Sequence, residues 1–334
     1  MMLFQKIIKT KALALLALNV AALPVAMADT MPAAPTQAEL QQRLLQALSG
    51  EYSNFHALTE QPTTVGDFPP IIQHGEPIIL ANGEQALLVK QGFLSSRASD
   101  ASNSYYRRTL YVFVTPRNSN EIVQISYPLS ASVSKQALTE PDALAELPRL
   151  PGCEIFWQYE PMANGHDSFN GYRSPDRCFF VDEKEIPVHL ETIVHVTNNE
   201  LQMTESLLDS NGEPLLEAEI GGTITLNPIR FFDMTVSFLP DGANKDDPAA
   251  WISVQPDGLI HDHGQRINLR TQKEQQILPY QIKIVRADSN QNLLQVRIYS
   301  LGLDTPLEDL TVELNDGVGV LHIDPLRVEI ELRN

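Results

Sequence analysis

YYRRTLYVFVT, residues 105–115, decides the fold class of this chain. Aromatic and β-branched side chains dominate it and no Gly or Pro interrupts it, which is the composition of a strand. Alternation puts Tyr105, Arg107, Thr109 and Tyr111 on one face and Tyr106, Arg108, Leu110 and Val112 on the other. Working outward, segments of the same character recur at 86–94, 122–129, 153–159, 177–181, 186–196 and 201–208. Asn118-Ser119-Asn120, Asn164-Gly165, Asn198-Asn199 and Ser210-Asn211-Gly212 mark turns among them. A helix precedes the strands. Thr36 and Glu39 have capping-box spacing, and Leu40, Leu44 and Leu48 form one apolar stripe that ends before Gly50. A second short helix is expected near 142–147, where Pro141 suits a first helical position. Many antiparallel strands with one or two short helices imply a closed barrel or a sandwich.

Beyond about Arg230 the pattern changes to shorter, evenly spaced strands at 235–239, 251–254, 265–270, 280–286, 293–299, 310–314, 319–323 and 328–332. Pro240-Asp241-Gly242, Pro256-Asp257-Gly258 and Asp316-Gly317 supply turns. The expected organisation is a barrel over 36–230 and a second all-β, sandwich-like module over 231–334, packed directly together.

The amino terminus predicts export. Lys6, Lys9 and Lys11 precede the apolar run from Ala12 to Ala28, and Ala26-Met27-Ala28 offers small residues for signal peptidase. Residues 1–28 therefore read as a cleavable signal peptide and 29–35 as a tether. With Asn19 and Pro24 inside it, the run falls short of the ~20 apolar residues of a membrane span, and no later stretch qualifies. A periplasmic or secreted location follows. In such a compartment Cys153 and Cys178 are expected to form one disulfide. The net charge of −18 argues against nucleic acid as a partner, because phosphate binding needs concentrated Lys and Arg.

An ordered series of motifs in the first module resembles the CpcT/CpeT chromophore lyase family, whose members attach bilins to phycobiliprotein cysteines. The series starts with the helix exit Leu44-Leu45-Gln46-Ala47-Leu48-Ser49-Gly50-Glu51-Tyr52-Ser53-Asn54 and continues with Leu87-Leu88-Val89-Lys90-Gln91. Tyr106-Arg107-Arg108-Thr109-Leu110-Tyr111 resembles the family's Tyr-Arg-Gln-Arg-x-Tyr strand. Gly152-Cys153-Glu154-Ile155-Phe156-Trp157, then Phe169-x-Gly171 and Cys178, keep the family's order. The resemblance covers about residues 37–225 and leaves the second module outside it.

It implies a calyx-like antiparallel barrel able to hold an open-chain tetrapyrrole. If the Arg107 face points inward, Arg107 can pair with a propionate, with Tyr105, Thr109 and Tyr111 beside it. Gln91 and Trp157 join the expected ligand-binding set through the family motifs. The competing expectation is that Arg107 is salt-bridged inside the barrel and the tyrosines pack across strands. The chain also departs from the family pattern, with Arg108 in place of its Gln and Thr109 in place of its second Arg. Export separates it from the intracellular antenna proteins on which the family acts.

No nucleophile elbow, His-Glu-x-x-His, phosphate loop or dinucleotide fingerprint is present in the sequence. His261-Asp262-His263, flanked by Gly258 and Gly264, is expected to be an exposed turn, not a metal site. Two functions follow. One is an exported binder of a hydrophobic or tetrapyrrole-like ligand, by resemblance a chromophore lyase. The other is a non-catalytic envelope scaffold or adaptor, with protein contacts through the second module.

Overall fold

Thr36 caps α1 (Gln37–Leu48): its hydroxyl accepts from the Glu39 amide, and the Glu39 carboxylate accepts from the Thr36 amide at 2.7 Å. A computed structural model describes residues 34–60, 69–95, 105–117, 119–162, 166–181, 185–215, 222–287 and 292–333. The expected signal peptide, 1–28, lies outside the described residues.

The first sheet comprises β1 (Gly50–Ser53), β2 (Ile71–Ile79), β3 (Gln85–Phe93), β4 (Tyr105–Val114), β5 (Ile122–Pro128), β6 (Ile155–Pro161), β7 (Asp167–Arg173), β8 (Phe179–Val181), β9 (Pro187–Thr197), β10 (Leu201–Leu208) and β11 (Ile224–Pro228). Consecutive strands pair antiparallel from β1 to β7, β7 pairs with β9, β9 with β10, β10 with β11, and β11 returns to β1. The result is a closed ten-stranded antiparallel barrel, with β8 attached to β9 outside the ring. Helices α2 (Phe55–Glu60) and α3 (Ala143–Glu146) are single short turns in the connections.

Alternation decides which side chains fill the barrel. Leu87, Val89, Phe113, Ile122, Ile155, Trp157, Phe169, Val194, Val196, Leu201 and Leu226 point to one interior core, and Leu40, Leu44 and Leu48 of α1 complete it from one end. The α1 lid is tied down by Gln41 Nε2 donating to the Phe113 carbonyl at 3.2 Å and by an Arg43–Asp167 ion pair at 3.0 Å. The opposite faces of β3 and β4 are apolar too. Ala86, Leu88, Leu110 and Val112 pack on the outside of the barrel beneath Leu129 and Leu138.

The second sheet comprises β12 (Phe231–Phe238), β13 (Ile252–Pro256), β14 (Ile260–His261), β15 (His263–Thr271), β16 (Ile277–Arg286), β17 (Leu293–Ser300), β18 (Pro306–Glu313), β19 (Val318–Ile323) and β20 (Leu326–Leu332). Its order is β18-β17-β16-β15-β13-β12-β20-β19, with β14 on β12. The all-β second module is present, and its strands form one sheet rolled nearly closed around a core of Phe232, Val236, Leu269, Ile282, Val296, Val328 and Ile330. Only Ile229 and Arg230 separate β11 from β12. A small joint core of Ile72, Leu94, Ile229 and Phe231 covers this crossing, and Thr36–Asn334 forms one compact unit.

Candidate functional site

Within the barrel, polarity rises toward the end of the strands opposite α1. Three glutamines mark the transition. Gln91 Nε2 donates to Gln73 Oε1 at 2.8 Å, and the buried Trp157 indole donates to Gln124 Oε1 at 3.0 Å. Each is an interior polar side chain that has found an interior partner. Gly171 makes room for the indole, since a Cβ there would lie 2.9 Å from Trp157 and from Ile155. Thr109 is buried beside these groups on β4.

Beyond them, Arg107 of β4, Arg173 of β7 and Glu205 of β10 meet at the barrel mouth. Glu205 lies 3.8 Å from Arg107 and 3.9 Å from Arg173, close enough for charge attraction but too long for hydrogen bonds. Arg107 is 46% exposed, whereas Arg173 is 7% exposed and held by two bonds, Nε to the Cys153 carbonyl at 2.9 Å and Nη1 to Thr192 Oγ1 at 3.0 Å. Burial draws the Arg173 pKa below its ordinary value while Glu205 opposes the shift; an arginine stays charged regardless. Tyr111 sits below the pair, and burial pushes its hydroxyl pKa up against the field of Arg107. Two guanidiniums thus share one carboxylate, leaving the mouth with a surplus positive charge.

A register shift between Gln91 and Gly92 alters the rim. Arg107 pairs with Gln91, but Tyr105 pairs with Gly92, so Tyr105 leaves the Arg107 face on which strict alternation had put it. Tyr106 instead meets Phe93, ring centroids 5.3 Å apart, and both are exposed. Of the residues expected from sequence, Arg107, Thr109, Tyr111, Gln91 and Trp157 therefore share the interior. Arg173, Glu205, Gln73 and Gln124 are additions that sequence reading missed. The alternation Phe169, Gly171, Arg173 was the available signal for Arg173.

Cys153 and Cys178 form a disulfide, Cα atoms 4.4 Å apart. The loop before it needs Gly152, whose φ is +83° and whose Cβ would lie 2.1 Å from the Arg177 carbonyl oxygen. Because Arg173 grips the Cys153 carbonyl, this cross-linked loop and the barrel mouth are mechanically continuous.

The expected exposed turn at His261-Asp262-His263 is corrected. His261 and Asp262 are each 1% exposed and lie at the crossing between the two sheets. The flanking glycines signalled a turn but not what packs on it. Asp262 accepts from the Arg230 amide at 3.0 Å, from Arg230 Nε at 2.7 Å and from Arg286 Nε at 3.0 Å. Burial pushes its pKa up, but the charge of Arg286 and the bonds from Arg230 hold it below the ordinary carboxylate value. His263 Nε2 lies 2.9 Å from the Pro228 carbonyl and must donate to it; His261 Nδ1 accepts from the His263 amide at 3.2 Å, which leaves Nε2 to donate to Gln265. His261 is thereby specified as the neutral Nε2–H tautomer, and His263 carries a proton on Nε2. Among the described residues no group of three or more His, Cys, Asp and Glu is arranged to hold a metal ion.

No family model matches the chain, and no curated protein matches it. A solved structure does: the T-type phycobiliprotein lyase CpeT from Prochlorococcus phage P-HM1, at 13% identity and a TM-score of 0.33, over 56% of this chain and 96% of that one.

Proposed function

We propose that this protein is an exported barrel that holds an anionic ligand with an apolar body at the mouth formed by Arg107, Arg173 and Glu205. One observation carries the reading: two arginines converge on a single carboxylate at the open end of an otherwise sealed core, in a chain of net charge −18. A carboxylate entering there gains charge-assisted hydrogen bonds that the long Glu205 contacts do not make, and the exposed Phe93 and Tyr106 offer an apolar rim. The core below the mouth is filled by Trp157, Phe169 and their neighbours, so the ligand lies across the mouth and not deep in the barrel. A tetrapyrrole with its propionates is the first ligand to test, in keeping with the sequence resemblance. In a lyase reaction the acceptor thiol has to come from a partner, because the chain's two cysteines are bonded to each other. The disulfide supports an oxidising compartment.

Absorbance titration of micromolar protein with biliverdin and with haem tests the reading, using wild type and Arg107→Gln. A saturable spectral change that weakens in the variant is expected. No change with either ligand favours the second reading, a non-catalytic scaffold, which the filled interior and the exposed Tyr172, Phe179 and Ile193 on the outer barrel wall support. Fractionation of cells expressing the full chain tests export: a periplasmic or secreted product lacking residues 1–28 is expected.

A further inference from the structure

A second site lies on the rolled second sheet, far in sequence from the barrel mouth. The loop before β13 and the β19–β20 hairpin enclose a cleft of about 380 Å³, within the size range of small-molecule sites. Trp251 forms its aromatic wall. The indole is fixed because its N–H donates to the Lys245 carbonyl at 3.1 Å. Arg327 of β20 lies over that ring, its guanidinium carbon 3.8 Å from the centroid.

The state of Arg327 distinguishes this cleft. Arg230, Arg266, Arg270, Arg286, Arg297 and Arg333 of the same module all pair with carboxylates. Among the described residues the Arg327 guanidinium has neither a hydrogen-bond acceptor nor a carboxylate partner. The contact with Trp251 holds the guanidinium at the cleft wall, where its N–H donors are open to capture of a carboxylate. Ser237 and His322 stand opposite it on the neighbouring strands and add polar groups to the same face.

The rest of the lining selects among carboxylates. Lys245 adds a second cation, while Asp246 and Asp324 add two carboxylates that likewise make no ion pair among the described residues. The lining is therefore charge-balanced, with both signs exposed and free of ion pairs among the described residues, and Ile323 and Leu326 supply apolar surface beside the indole. A simple anion would leave the two acids facing it unpaired, and a simple amine would leave Arg327 and Lys245 so. We infer that this cleft binds a small zwitterion with an apolar body, in the chemical class of a free α-amino acid: carboxylate on Arg327, ammonium on Asp246 and Asp324, side chain against Trp251. The assignment is independent of the barrel-mouth reading.

The chain contains two tryptophans, and Trp157 is buried in the barrel core, so indole ¹⁵N–¹H spectra of the tryptophan-labelled protein give one reporter in the cleft and one internal reference. The probes are L-leucine, 4-methylpentanoate, which lacks the amine, and 3-methylbutylamine, which lacks the carboxylate. Saturable movement of the Trp251 signal alone is expected with leucine. Loss of one charged contact weakens binding about tenfold, so each single-charge analogue, Arg327→Gln with leucine and Asp246→Asn with leucine should all fall by about that factor. Both side chains are exposed, so neither variant threatens folding. No movement with leucine at about 10 mM, weaker than the useful range for a small-ligand site, overturns the inference. So does movement that survives Arg327→Gln, and so does equal binding of 4-methylpentanoate, which would make the cleft a plain anion site.

Discussion

Replacing His261 by Asn tests how the two sheets are joined. In the native protein His261 is buried between Phe55 of α2, at 4.8 Å between ring centroids, and Phe231 of β12, at 6.2 Å. Its Nδ1 accepts the His263 amide, so a proton added there would set one N–H against another. The charged and titratable groups around it are Asp262, His263, His56, Arg230 and Arg286. Burial, first, and His263, second, lower the His261 pKa from 6.5 to about 4. A histidine with a depressed folded-state pKa binds protons more readily when unfolded, so its contribution to stability is complete above the unfolded pKa and is lost as the pH falls toward the folded one. Between about pH 7.5 and pH 5 that difference amounts to about 2 kcal/mol, taking 1.36 kcal/mol per pKa unit. His263, also lowered chiefly by burial, adds in the same direction. Asp262 does not contribute in this window, because its lowered pKa keeps it ionised until the pH drops below the ordinary carboxylate range.

Asn keeps an acceptor near the Nδ1 position and removes the titration. Urea unfolding of wild type and His261→Asn, followed at pH 7.5, 6 and 5, should show the wild type losing about 2 kcal/mol relative to the variant on acidification. Using the difference cancels the many surface carboxylates, which the two proteins share. A stability difference that stays flat from pH 7.5 to pH 5 refutes the argument.

Removing the neighbouring carboxylate should be costlier and independent of pH above 6: Asp262→Ala takes away the buried carboxylate that Arg230 and Arg286 share and should destabilise by about 3 kcal/mol in the same urea assay. Gly171→Ala forces a methyl group against Trp157 and Ile155, so a loss of about 2 kcal/mol and an altered Trp157 emission are expected, while the same substitution at the exposed Gly83 should leave the emission unchanged. The double substitution of Cys153 and Cys178 by Ser opens a loop with a sequence separation of 25, and calorimetry should register a loss of about 3 kcal/mol.

The sequence made the helix at Thr36–Leu48 legible because its cap and its stripe are both local signals, and the structure shows the same box and the same buried leucines. Alternation also groups Arg107, Thr109 and Tyr111 of β4 on one face, and the structure turns that face inward. Tyr105 escaped because an extra residue opposite Gln91 and Gly92 is decided by the partner strand, not by β4 itself. Strands β1, β2, β7 and β11 lack a clear local signal: β1 and β11 are short, β2 carries Gly75 and Pro77, and β7 carries Gly171. Gly75 is required because the Leu48 carbonyl approaches to within 2.3 Å of where its Cβ would be, a contact with no trace in local composition. The meeting of Arg107, Arg173 and Glu205 depends on registers among strands distant in the chain, and the burial of His261 depends on α2. Neither is a property of a single segment.

Barrel closure has a consequence for how this protein is made. The seam joins Tyr52 to Pro228 and Ser53 to Asn227, so the ring's first strand waits for its last. Until β11 has emerged, β1 and β10 both present unpaired edges, which invite pairing with other chains. Contacts so distant in sequence make folding slow compared with a helical protein of equal size. The first module therefore cannot be shortened from its carboxyl side to any point before Pro228 without reopening the ring.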